Sequence, residues 1–155
     1  MRRLLCLSAL VTVLSSCNLA PPAPPYKPIA DVKTVMASIV EPAADLYWDA
    51  VGTIIDEKGI QEIAPKTVEE WDAVRNAAYV VAESGNLLLM PTRAKDGGEW
   101  VQLAQAMTDA AQKAIRAAEA RNKTAVFDTG AELYDTCTNC HVKYSPEILR
   151  PNATQ

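Results

Sequence analysis

The residue types best suited to chemistry lie near the C-terminal end, where Cys137-Thr138-Asn139-Cys140-His141 forms a C-x-x-C-H run. In this pattern two thiols add to the vinyl groups of a haem and the adjacent imidazole meets the iron. On a helix, positions i, i+3 and i+4 share a face, so both sulfurs and the ring nitrogen can approach one porphyrin together. A zinc site needs two more ligands, and Cys6 and Cys17 fall in or at the edge of an N-terminal targeting segment. A thioredoxin-like pair normally accompanies a βαβ pattern, which is absent. His141 is the only histidine. The expectation is one covalently bound haem c, with Cys137 and Cys140 as its thioether residues and His141 as the proximal iron ligand. A single histidine excludes bis-histidine coordination, so the sixth position falls to a Met, to a weaker ligand, or stays open. An enzyme such as a peroxidase wants a distal acid–base group, and no second histidine serves as one.

A chain of 155 residues, 49% of them hydrophobic, is enough for one packed domain. One Phe, six Gly, abundant Ala and few β-branched runs favour helices over sheet. Four amphipathic stretches carry apolar residues at steps of three and four. The first runs from Asp31 to about Asp56 through Val32, Val35, Met36, Ile39, Val40, Ala43, Leu46, Tyr47, Ala50 and Ile54, with a kink or restart expected at Pro42. The second opens on a Thr67–Glu70 capping box and continues to Pro91. Asp96-Gly97-Gly98 breaks the chain before a third, Trp100 to about Arg121. The fourth carries Val126, Gly130, Leu133, Cys137, Cys140, His141 and Tyr144 and ends at Pro146. These stretches most simply pack as an all-α, antiparallel, up-down-up-down four-helix bundle around the covalently bound haem.

The first residues read as an address. Arg2 and Arg3 precede an apolar stretch, Leu4 to Leu14, too short to span a bilayer, which marks residues 1–16 as an export signal and the periplasm as the destination. Leu14-Ser15-Ser16-Cys17 resembles a lipobox, making Cys17 the expected site of lipidation and the membrane a partner through that N-terminal lipid. Five prolines between Pro21 and Pro28 exclude helix and sheet, so residues 17–30 form a lipidated N-terminus and Pro-rich linker. Residues 31–150 then make the cytochrome domain and 151–155 a tail. The formal net charge is −4, and no cluster of Lys and Arg interleaved with aromatics occurs, so nucleic acid is not an expected partner. A protein partner with a basic patch suits the surface better.

A haem motif at the C-terminal end of a four-helix chain resembles the class II cytochromes c, the family of cytochrome c′ and its low-spin relatives. The resemblance spans roughly residues 29–146. Cys140-His141-Val142-Lys143-Tyr144 fits the family's C-H-x-x-[YF] ending, although Ser145 stands where a basic residue commonly follows. In low-spin members a Met early in helix one binds the iron, and Met36 looks like that residue, with Met107 and Met90 as substitutes. The resemblance then implies a one-electron carrier that exchanges electrons with redox partner proteins. In five-coordinate members a bulky apolar side chain stands there instead, and the alternative is a high-spin haem protein binding NO or CO. Trp48, Trp71 and Trp100 are expected in the core or against the haem. Family members often pair through helices one and two, which leaves a homodimer open.

Overall fold

A computed structural model describes residues 26–149; the leader, Cys17 and residues 151–155 lie outside the described residues. The elements in chain order are α1 (Val32–Val35), a π-helical turn (Met36–Val40), α2 (Glu41–Trp48), β1 (Gly52–Asp56), β2 (Gly59–Ile63), α3 (Val68–Leu88), α4 (Glu99–Glu119) and α5 (Lys123–Tyr144). The fold is mostly helical, with one small two-stranded sheet.

Asp31 starts the first helical stretch by accepting the Thr34 N–H at 2.8 Å. Pro42 shapes the turns on either side of it. It has no N–H to donate, and its ring crowds the carbonyl of Ser38. The turn ahead of it widens, so that the Glu41 N–H reaches back five residues to the Met36 carbonyl. Regular helix resumes at Glu41 with Pro42 in the first turn, where the missing N–H leaves nothing unpaired. The expected restart is therefore present, in the form of a π turn that begins at Met36.

Two expectations are corrected here. The fold is not all-α, and the first helical stretch stops at Trp48 instead of running to Asp56. Residues 52–63 form an antiparallel hairpin in which Ile55 faces Ile60. Thr53, Ile54 and Ile55 are β-branched in succession, which costs rotamer freedom in a helix and suits a pleated strand. Gly59 takes φ +119°, a conformation open to glycine, just after the Glu57-Lys58 turn. The Lys58 N–H donates to Asp56 Oδ1 at 2.9 Å and holds that turn. Ile54 matched the helical period by spacing alone.

The three long helices begin and end on local signals. Thr67 Oγ1 accepts the Glu70 N–H at 3.2 Å, and Glu70 Oε2 accepts the Thr67 N–H at 3.1 Å, completing the capping box of α3. Asp96 Oδ1 accepts the N–H groups of Gly98 (2.9 Å) and Trp100 (3.0 Å) where α4 begins. At the other end of α4, Arg121 adopts φ 50°. The Asn122 N–H bonds the Ala117 carbonyl and the Arg121 N–H bonds that of Ala118, a Schellman closure. Asn122 then caps α5 by accepting the Ala125 N–H at 3.1 Å.

α3 packs along α4, α4 along α5, and α2 against α3. Leu88 meets Trp100 at one end of the α3–α4 pair while Tyr79 meets Glu119 toward the other, so the two run antiparallel. Gly85 marks a close approach between them: a Cβ there falls 2.1 Å from Thr108 Oγ1 and 3.0 Å from the Ala104 carbonyl. α2 and α5 touch more sparingly. Tyr47, fully buried, donates to the Ala114 carbonyl at 3.2 Å and lies 2.8 Å from Thr129 Oγ1, and Trp48 Nε1 donates to the Gly130 carbonyl at 2.9 Å. Ala78, Val81, Leu88, Ala111, Ala114, Val126 and Leu133 complete the middle of the core.

Candidate functional site

The apolar stripe of α5 changes character along its length. Val126, Gly130 and Leu133 are buried against neighbouring helices, whereas Cys137, Cys140, His141 and Tyr144, next on the same stripe, are only half-buried. The reason is a cavity of about 370 Å³ bounded by α5, α2, the π turn, the end of α3 and the start of α4. Its volume falls in the range of small-molecule and cofactor sites.

Cys137, Cys140 and His141 line this cavity together, as the i, i+3, i+4 spacing required, and Met36 lines it too, from the start of the π turn. Of the substitutes, Met107 also lines it. Met90 does not, and its sulfur instead accepts from Arg93 Nη1 at 2.8 Å. Val40, Ala44, Leu88, Leu103 and Ala104 supply apolar wall. Trp48 and Trp100 are wall residues as well, while Trp71 is buried elsewhere in the core. The donor set suits a haem: two thiols and an imidazole on one helix face, a thioether in the same cavity, and mostly apolar surroundings. Cys137 and Cys140 are free thiols. Burial pushes both up from the ordinary thiol range, and the neighbouring Cys137 adds to the shift at Cys140. That is opposite to the depressed thiol of a dithiol oxidoreductase. Among the described residues, no three His, Cys, Asp or Glu side chains gather as a metal site.

Several features of the site were not singled out in the sequence. Glu41 and Asp45, one turn apart on α2, are exposed and border the cavity, as do Ile148 and Leu149 beyond α5. Asp96, read only as part of a chain break, accepts a hydrogen bond from the Tyr144 hydroxyl. The Tyr144 ring meets Trp100 edge-on, centroids 4.9 Å apart, and Lys143 pairs with Glu99 at 2.7 Å. Arg93, buried, donates to the carbonyls of Ala30 (2.9 Å) and Leu87 (3.1 Å), tying the segment before α1 to the end of α3. A lone Arg after a Pro-Thr loop carries no sequence mark of this role. The Asp96 cap was the one findable signal, an Asp shortly before an apolar helical run.

Among the described residues, no helix is long and apolar enough to cross a membrane. Compared with family models, curated proteins and solved structures, the chain matches none.

Proposed function

We propose that this chain is an exported mono-haem c-type cytochrome acting as a one-electron carrier, with Cys137 and Cys140 holding the haem as thioethers and His141 and Met36 as its axial ligands. The carrying observation is that Met36 lines the same cavity as the C-x-x-C-H face, although 101 positions separate Met36 from Cys137 in the sequence. When bound, the haem supplies Fe(III)/Fe(II) cycling. The chain's own residues do the rest. Cys137 and Cys140 fix the porphyrin to one face of α5. Leu88, Leu103, Trp100 and Trp48 exclude water and so favour a low-polarity setting that tunes the potential. With His141 and Met36 both holding the iron, no position would remain for a substrate, and the chemistry left to the protein would be that of a carrier.

In this reading α1 with α2, α3, α4 and α5 form an antiparallel up-down-up-down four-helix bundle closed around the haem, as in the class II cytochromes c that the sequence resembles. The hairpin is an insertion between its first and second helices. Residues 1–16 direct export, and Cys17 carries a lipid that anchors the protein at a periplasmic membrane surface. Redox partner proteins with basic groups suit the Glu41 and Asp45 carboxylates at the cavity's border.

The test is the visible spectrum of purified ferric and ferrous protein. A low-spin ferric spectrum with a Met-to-iron charge-transfer band, lost in Met36→Ala, supports the carrier. A high-spin ferric spectrum with a ferrous form that binds CO readily moves the protein to the five-coordinate NO- or CO-binding reading. Persistence of the band in Met36→Ala transfers the ligand role to Met107.

A further inference from the structure

The last turns of α5 carry the haem-binding residues, yet the buried residues of α5 stop at Leu133. Beyond His141 the hold is concentrated at Tyr144, which is partly buried against the core and carries a polar link at its hydroxyl. Tyr144 donates its hydroxyl proton to Asp96, and Asp96 is itself held by the N–H groups of Gly98 and Trp100 at the start of α4. Trp100 extends the connection: its ring edge meets Tyr144, its Nε1 donates to the Leu88 carbonyl at 2.9 Å, and it lines the cavity. Lys143 adds an exposed ion pair to Glu99, which contributes little by itself.

We infer that Asp96 is a positioning residue for His141, acting through Tyr144 to hold the last turn of α5 at the start of α4 so that the imidazole keeps a fixed aim into the cavity. The inference rests on the haem reading above. The bond is exposed at Asp96, so it acts through its geometry and not through charge, and a ligand whose outer surroundings are anchored keeps its orientation. The two ionisation shifts agree with this. The Asp96 hydrogen bond is the main cause that pushes the Tyr144 phenol up to about 12, and the same bond is the main cause that lowers the Asp96 carboxyl.

The experiment compares intact, haem-loaded wild type with Asp96→Ala, Tyr144→Phe, their double variant and Asp96→Asn. It reads the ferric spin state, the reduction potential and thermal unfolding. The expected result is that Asp96→Ala and Tyr144→Phe each raise the high-spin ferric fraction at least fivefold and shift the ferric–ferrous equilibrium at least threefold. The double variant goes no further than either single one, because both break the same link. Asp96→Asn stays close to wild type, since its amide oxygen keeps the two backbone N–H groups and its NH₂ can donate to the Tyr144 oxygen. Variants that lose thermal stability while keeping the wild-type spin state and potential overturn the inference and leave Asp96 a structural cap. A wild type without covalent haem overturns the haem reading and this inference together; haem-loaded wild type with unmoved variants overturns this inference alone.

Discussion

Gly85→Ala adds one methyl group where α3 runs close against α4, and two opposing effects set the outcome. Alanine is the better helix former by about 1 kcal/mol, which by itself stabilises the variant. Against this, the new Cβ falls 2.1 Å from Thr108 Oγ1, and 3.0 Å from the Ala104 carbonyl, which belongs to backbone and cannot turn aside. If Thr108 rotates away, it gives up its bond to the Ala82 carbonyl at 3.1 Å, a loss of about 1 kcal/mol. If it does not, the helices must part, and overpacking of this kind costs roughly 1–3 kcal/mol. The carbonyl contact remains whichever way Thr108 turns, so a cost of roughly 1–3 kcal/mol stands against a gain of about 1 kcal/mol, and the net expectation is a loss of up to about 2 kcal/mol. Urea unfolding followed by far-UV circular dichroism measures it. A second variant supplies the control: with Thr108→Ala in place the closest atom is gone, so adding Gly85→Ala should then cost less than about 1 kcal/mol. A Gly85→Ala protein more stable than wild type by about 1 kcal/mol, the full propensity gain, refutes the close approach.

Tyr144 and Asp96 predict a pH window for their link. The folded state raises the Tyr144 ionisation to about 12, so its contribution to stability is present below the ordinary tyrosine value near 10 and is lost as pH rises from there to about 12. The Asp96 carboxyl is lowered, so its contribution is present above the ordinary carboxylate value and is lost as pH falls below it, with Glu99, Lys143 and Cys140 the other ionisable groups nearby. Ultraviolet titration should show Tyr47, from burial, and Tyr144, from Asp96, ionising late, and Tyr144→Phe should remove one late ionisation; a late phase unchanged in Tyr144→Phe disposes of the idea. Arg93→Met leaves the Ala30 and Leu87 carbonyls without their side-chain donor and should cost roughly 1–3 kcal/mol. Hydrogen exchange should quicken through Val32–Met36, and unchanged exchange there argues against Arg93 holding that segment.

The capping box at Thr67 and Glu70, the chain break at Asp96-Gly97-Gly98 and the shared face of Cys137, Cys140 and His141 were all legible because each is a short-range signal whose residues lie within one helical turn or one loop. Helix ends differed by a few residues, as at Leu88 against Pro91. Residues 49–56 were misread as helix because Ala50 and Ile54 continue a four-residue step, while the competing signals, three β-branched residues in succession and Gly59 after Glu57-Lys58, identify a hairpin only when weighed together. That Met36 and Met107, but not Met90, line the cavity depends on how the helices pack. So does the Asp96–Tyr144 contact, which joins residues 48 positions apart, and no local spacing encodes such a distance.

The hairpin leaves a practical opening. Every residue from Thr53 to Ile63 is exposed, and a Lys123–Glu62 ion pair ties β2 to the start of α5. Lys123 stands 14 residues before Cys137 on α5, which puts that contact roughly 20 Å along the helix from the haem-binding face. Lengthening the turn at Glu57-Lys58 carries only a slowly growing entropic cost. A peptide tag or dye spliced there gives a handle for fixing the protein to an electrode through a segment that does not line the cavity, so that the proposed electron exchange can be tested on oriented molecules.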